Sequence, residues 1–188
     1  MSRGVVAVLL AGWALSTALP PSEPGPRENR GAPGPVLQLA PEGEPGRRLL
    51  VAGRVFSEDG TTPLPGITID VHQTDARGDY RPNLLGRARL AGKLVTGQEG
   101  QFEIWTIEPG SYPGRDIPAH IHFKVFGPGV SEQFPDDEWF EGDPLLTPAL
   151  RARVRSNEGR FSPICPLGVD PDGIRRCVRD FRIRRSGV

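Results

Sequence analysis

The sequence predicts an all-β domain, an antiparallel β-sandwich. Three observations carry that reading. Several short stretches alternate apolar and polar residues with period two, as half-buried strands do. The 24 glycines and 21 prolines among 188 residues disfavour long helices and supply turns. Only one stretch, Pro148 to Val154, could form a short helix. With 37% hydrophobic residues, the chain can bury one core of ordinary size.

Taken in order, the N-terminus reads as an export signal. Arg3 precedes an almost wholly apolar run from Val5 to Leu15, and Ser16-Thr17-Ala18 offers the small residues at which such a segment is cut. The run is short for a membrane span. We therefore assign residues 1–18 to a signal peptide, with an uncleaved anchor as the minor alternative. Residues 19–47 are dense in proline and glycine and show no periodicity, so they are expected to be a disordered linker. The folded domain is then expected over 48–188.

Within it, Leu49 to Phe56 is rich in β-formers, and Asp59-Gly60 and Pro65-Gly66 are turn signals. Ile67 to His72, Gly100 to Trp105 and His120 to Phe126 each alternate. A last strand is expected through Val178 to Ile183. Cys165 and Cys177 are expected to pair as a disulfide if the chain is exported; a thiolate metal site is the alternative, and it lacks the usual close cysteine spacing. The formal net charge is zero, which argues against a polyanionic partner. The arginine run Arg175, Arg176, Arg179, Arg182, Arg184, Arg185 reads as a solvated strand face and tail, since Phe181 alone interleaves for stacking.

The chemistry lies in the two tyrosines and three histidines. His120 and His122, two apart on an expected strand, share a face and could chelate a metal. Tyr112 sits between turn residues in Pro109-Gly110-Ser111-Tyr112-Pro113-Gly114, and Tyr80 follows a strand at Gly78-Asp79-Tyr80. Read blandly, these are surface turn tyrosines beside a polar histidine pair. Read together, mixed phenolate and imidazole donors suit Fe(III) better than zinc or copper.

From about Val51 to Leu146 the chain resembles the intradiol ring-cleavage dioxygenases, the catechol and protocatechuate dioxygenase family. The likeness rests on Gly53-Arg54-Val55, on Ile69 to Asp75 leading to Gly78-Asp79-Tyr80, and on Thr96-Gly97 with Gly100-Gln101-Phe102. It continues through Thr106 to Pro113, Pro118 to Phe123 and Trp139 to Leu145, in the family's order. The resemblance implies a β-sandwich of the intradiol dioxygenase type and a non-haem Fe(3+) cofactor. It implies Tyr80 and His120 as equatorial ligands, Tyr112 and His122 as axial ones, and a solvent hydroxide as the fifth. It further implies cleavage of an aromatic diol by O2 between the hydroxyl-bearing carbons, through an anhydride to a muconate-type diacid. Tyr112 would leave the metal and take a substrate proton.

Several positions depart from the family pattern. Ile117 stands where an arginine is usual, and Arg115, the nearest guanidinium, is the candidate catalytic substitute. Asp137 stands near an expected glutamine, and His72 replaces a tryptophan. The helical region that many members use to dimerise is missing, so a homo-oligomer is left open. Expected partners are a small aromatic diol and O2, with no nucleic acid and, after signal cleavage, no membrane. The expected location is periplasmic or extracellular. Gly53-Arg54-Val55, Pro63 to Ile67 and Pro109 to Tyr112 also resemble non-enzymatic transthyretin-like and carboxypeptidase regulatory-like binding modules. Those modules have no need of His120-x-His122, and that pair separates the two readings.

Overall fold

The computed structural model describes residues 34–80, 88–154 and 159–186. The expected signal peptide and the first part of the expected linker lie outside them. Two six-stranded sheets form. The first contains β1 (Val36–Gln38) and β2 (Arg48–Ser57). The second is built around β3 (Thr68–Gln73) and β4 (Leu90–Val95), and the chain then returns to the first through β5 (Gln101–Ile107). Next come β6 (His120–Gly127), β7 (Val130–Gln133) and β8 (Glu138–Phe140) in the second sheet, followed by the expected short helix α1 (Pro148–Arg153). The last strands are β9 (Ile164–Cys165), β10 (Gly168–Val169), β11 (Arg175–Val178) and β12 (Phe181–Ile183).

The first sheet runs β1-β5-β2-β11-β10, with β12 also on β2; the second runs β4-β3-β6-β8-β9, with β7 on β6. The alternation seen in the sequence is the inward–outward alternation of these strands. Ile69 and Val71 of β3 and Ile121, Phe123 and Val125 of β6 face the core, where they join Val51, Val55, Phe102 and Ile104 of the first sheet. Phe181 sits between the layers, 5.0 Å from Phe123 and 5.6 Å from Phe102 by ring centroids. Cys165 of β9 bonds Cys177 of β11 across the two sheets, with Cα atoms 5.8 Å apart, within the usual range of about 4.4–6.8 Å.

Three expectations need correction. Residues 36–38 of the expected linker form β1, parallel to β5 in register Leu37↔Ile104. The cause is packing: Leu39 and Ala40 are buried, and Leu37 lies against the core in the space that Gly92 leaves by lacking a side chain. Second, the sheets are mixed rather than purely antiparallel. β1–β5, β11–β2, β12–β2 and β8–β9 are parallel pairs. Third, the expected last strand divides at Arg179-Asp180. Arg179 turns inward and is only 3% exposed, unlike the solvated face expected for its neighbours. Gly53 of β2 makes room for this crossing: a Cβ there would lie 1.7 Å from the Arg179 carbonyl oxygen.

Candidate active site

The outer face of the second sheet carries the chemistry. On β6 the even positions His120 and His122 point away from the core, as period two requires. Backbone pairing sets His122 opposite His72 of β3, and the two rings stack with centroids 4.6 Å apart. Two loops cross above this face. One follows β3 and carries Tyr80; the other follows β5 and holds Tyr112.

Close backbone contact joins these loops. Asp75 caps the first turn, its carboxylate accepting from the amides of Arg77 (2.9 Å) and Asp79 (3.1 Å). The Asp75 carbonyl accepts from the amide of Gly78 and, across the gap, from that of Gly110 at 2.8 Å. Thr74 Oγ1 donates to the Gly110 carbonyl at 2.7 Å. Glycine is required here for a physical reason. At Gly78, φ is +86° and a Cβ would lie 1.9 Å from the Ser111 carbonyl oxygen. Gly78→Ala is therefore expected to push the tyrosine loops apart. Stability should fall by more than about 1 kcal/mol, the usual scale of an alanine forced to positive φ, and any metal should be lost with it. A thermal melt and a metal assay on the variant test both.

Below the loops, Gln73 is fully buried and ties the sheets together. Its Nε2 donates to the Ile107 carbonyl at 2.9 Å, and its Oε1 accepts from Thr106 Oγ1 at 2.9 Å. The start of β6 is pinned in turn by Asp143, whose carboxylate accepts from the amide of Ala119 at 2.9 Å and of Leu145 at 2.8 Å. That is the structural work of the Glu141-Gly142-Asp143-Pro144 stretch.

Tyr80, Tyr112, His120 and His122 are thereby brought together. Tyr80 Oη lies 2.5 Å from Tyr112 Oη. Tyr112 Oη lies 3.3 Å from His120 Nε2 and 3.2 Å from His122 Nε2, and the two Nε2 atoms are 3.1 Å apart. The outward nitrogens are already engaged. His120 Nδ1 lies 2.6 Å from the Pro118 carbonyl oxygen, and His122 Nδ1 lies 2.8 Å from Asp137 Oδ1. A carbonyl and a carboxylate can only accept, so these partners assign the proton to Nδ1 in both rings. Both Nε2 lone pairs then face the same small space together with the phenol oxygens. A cation placed there would be within reach of both Nε2 atoms and of Tyr112 Oη. Donors bound at about 2.0–2.2 Å to one metal lie roughly 3 Å from one another, which is the spacing of Tyr112 Oη and the two Nε2 atoms; Tyr80 Oη joins them through Tyr112. Burial, first, and then the Tyr112 hydroxyl and charge push the Tyr80 phenol well above its ordinary pKa. A phenolate at Tyr80 therefore calls for a compensating positive charge.

The other candidates fall differently. The Arg115 amide closes a turn on the Tyr112 carbonyl at 3.2 Å, and its side chain is exposed. The contacts of the cluster run instead to Pro118 and Asp137. His72 flanks the site through its stack on His122, and burial holds its imidazole below the ordinary value. Beside His122 a cavity of about 390 Å³ opens, bordered by His72, Ala91, Phe134, Pro135 and Asp137. Sequence reasoning noticed Asp137 only as a departure. Its contact with His122, fifteen residues away in the chain, had no local signal.

A two-layer sandwich with mixed phenol and imidazole donors on one outer face defines the class, and comparison with known proteins names it. The family model described as Dioxygenase matches residues 27–158. The chain belongs to the intradiol ring-cleavage dioxygenase family. It is 37% identical over 121 residues to the protocatechuate 3,4-dioxygenase beta chain of Burkholderia cepacia, covering 55% of this chain and 49% of that one. It is 29% identical over 167 residues to the 6-chlorohydroxyquinol 1,2-dioxygenase of Cupriavidus pinatubonensis, covering 73% and 59%. The chain thus spans about half the length of the curated relatives it matches. Among solved structures it resembles the dioxygenase domain of a dioxygenase–carbohydrate-binding fusion from Streptomyces sp. SirexAA-E. The TM-score is 0.59, with 28% identity over 90% of this chain and 98% of that one. The 3-chlorocatechol 1,2-dioxygenase of Rhodococcus opacus shares the fold at a TM-score of 0.63 with 21% identity, over 83% of this chain and 68% of that one.

Proposed function

We propose that this protein is a non-haem Fe(III)-dependent intradiol dioxygenase that opens a catechol-type ring with O2 to a muconate-type diacid. One observation carries the reading: two imidazole Nε2 atoms 3.1 Å apart, with both Nδ1 atoms engaged and two phenol oxygens beside them. Two phenolates and a hydroxide would neutralise a trivalent ion, so the donor set suits Fe(III). When bound, the iron supplies Lewis-acid activation of the diol and of its ring toward O2. The chain supplies the rest. The Pro118 carbonyl and the Asp137 carboxylate keep both Nε2 atoms turned inward. Tyr112 Oη serves as ligand and then as the base that takes a proton from one substrate hydroxyl. The cavity beside His122 receives the ring. Export from the cytoplasm is part of this proposal, and the inter-sheet disulfide supports it.

The test is to load the purified protein with iron, count iron per chain, record the visible spectrum, and follow O2 uptake with catechol. A coloured protein with about one iron and catechol-dependent O2 uptake is expected. A colourless protein that takes up no iron would favour a binding module instead. Ile117 is 38% exposed beside the site's Pro118. If it merely vacates the family's arginine position, Ile117→Arg should raise turnover on plain catechol. Unchanged steady-state rates would show that arginine is not what limits this site.

A further inference from the structure

Asp137 stands near the position at which the family resemblance leads one to expect a glutamine, and its contact with His122 has a consequence of its own. Its Oδ1 accepts from His122 Nδ1 at 2.8 Å, while His120 makes the corresponding contact to a neutral carbonyl, that of Pro118. The two imidazoles on one strand therefore have different outer partners, one anionic and one neutral. Asp137 is also held on both sides. The preceding Asp136 carbonyl accepts from Nη2 of the buried Arg179 at 3.1 Å. The following Glu138 is fully buried and pairs with Ile121, the residue between the two histidines. The carboxylate thus sits on a braced segment and meets His122 in a fixed direction.

We infer that Asp137 is a positioning residue whose negative charge, passed through the His122 imidazole, makes His122 the more strongly donating of the two histidines and biases the site toward the ferric state. This rests on the proposed iron site. A carboxylate accepting from the outer N–H of a ligating histidine fixes the ring and raises its basicity. An anionic donor favours the trivalent ion over the divalent one, so charge at Asp137 should lower the Fe(III)/Fe(II) potential.

The experiment compares wild type with Asp137→Asn, which keeps the acceptor oxygen and removes the charge, and with Asp137→Glu, which keeps the charge. Glu132→Gln removes an exposed carboxylate that pairs with Lys124 at 3.3 Å and serves as a control for general charge. Removing such an outer partner costs about 10- to 100-fold in metal affinity. If the loss falls on Fe(III), each tenfold raises the midpoint potential by about 59 mV for one electron. Asp137→Asn is expected to show that rise together with a red shift of the phenolate-to-iron band. Asp137→Glu should restore much of both, and Glu132→Gln should change neither. An unchanged potential and band in iron-loaded Asp137→Asn would overturn the inference, as would an equal shift in Glu132→Gln. Nitrogen-15 spectra of the metal-free protein separate this claim from the iron site itself. His122 should be protonated at Nδ1 in wild type and lose that preference in Asp137→Ala. A wild type that takes up no iron would remove the proposed function, and the iron bias with it. A His122 without the Nδ1–H tautomer would remove the positioning claim alone.

Discussion

Tyr80→Phe is expected to strip the protein of most of its iron and most of its colour while leaving the fold in place. Tyr80 is half-buried, and its hydroxyl meets Tyr112 Oη at 2.5 Å. Phenylalanine keeps the ring and deletes the donor oxygen. Among the described residues of the loop, the Asp75 carboxylate is already committed to capping the turn through the amides of Arg77 and Asp79. Loss of an outer partner alone costs about 10- to 100-fold in metal affinity, so deletion of a direct anionic donor should exceed about 100-fold. The metal-free variant should lose little stability, on the order of 1 kcal/mol for one hydrogen bond. Iron per chain after desalting, visible absorbance and a metal-free thermal melt together decide the matter. A variant that keeps wild-type iron and colour would show that Tyr80 does not touch the metal. A variant that loses iron because it melts early would leave the loop, not the oxygen, as the cause.

What the sequence made legible follows from which contacts are local. His120 and His122 could be read as neighbours because a strand repeats every two residues, and β6 obeys that period. Tyr80 and Tyr112 could be singled out by their turn settings, but their meeting depends on Gly78 and Gly110 lying against opposite loops, which no single stretch reveals. β1 was hidden because its three residues sit among prolines and glycines; Leu37 packs there in space that Gly92 of β4 leaves, and Leu39 is buried in the core. The parallel pairings come from strands far apart in the chain, as where β11 and β12 flank β2, and alternation is silent about partner direction. The C-terminal arginines looked alike as a run, and two of them pair at the surface, Arg176 with Asp170 and Arg184 with Glu58. Arg179 alone is drawn inside, by a carboxylate forty-one positions earlier that carried no signal of its own.

Arg179→Met is expected to destabilise the protein by about 3–5 kcal/mol near neutral pH, the usual cost of leaving one member of a buried pair uncompensated. Arg179 is 3% exposed and Glu138 fully buried, with Arg179 Nε 3.2 Å from Glu138 Oε2. Neither atom has a well-aligned hydrogen-bond partner, so charge rather than a directed bond holds this contact. The other guanidinium nitrogens are directed: Nη1 donates to the Phe161 carbonyl at 3.0 Å and Nη2 to the Asp136 carbonyl at 3.1 Å. Burial pushes the Glu138 carboxyl well above the ordinary range, and Arg179 works against that push. Without Arg179 the push is unopposed. A group whose folded pKa is raised contributes most below its unfolded pKa and loses that contribution as pH rises through the folded value. The penalty in Arg179→Met should therefore be smallest in acid, below about pH 4.3, and grow toward neutrality relative to wild type. Adding Glu138→Gln should recover part of the loss at neutral pH and flatten its pH dependence. Recovery should stay partial, because the buried Phe161 carbonyl loses its Arg179 donor, at about 1–3 kcal/mol, and the Asp136 carbonyl loses its Arg179 contact as well. Denaturant melts of the single and double variants from pH 4 to 8 measure this. If the double variant is no more stable than the single one at neutral pH, the ionised Glu138 is not the source of the penalty, and the two lost carbonyl contacts account for it.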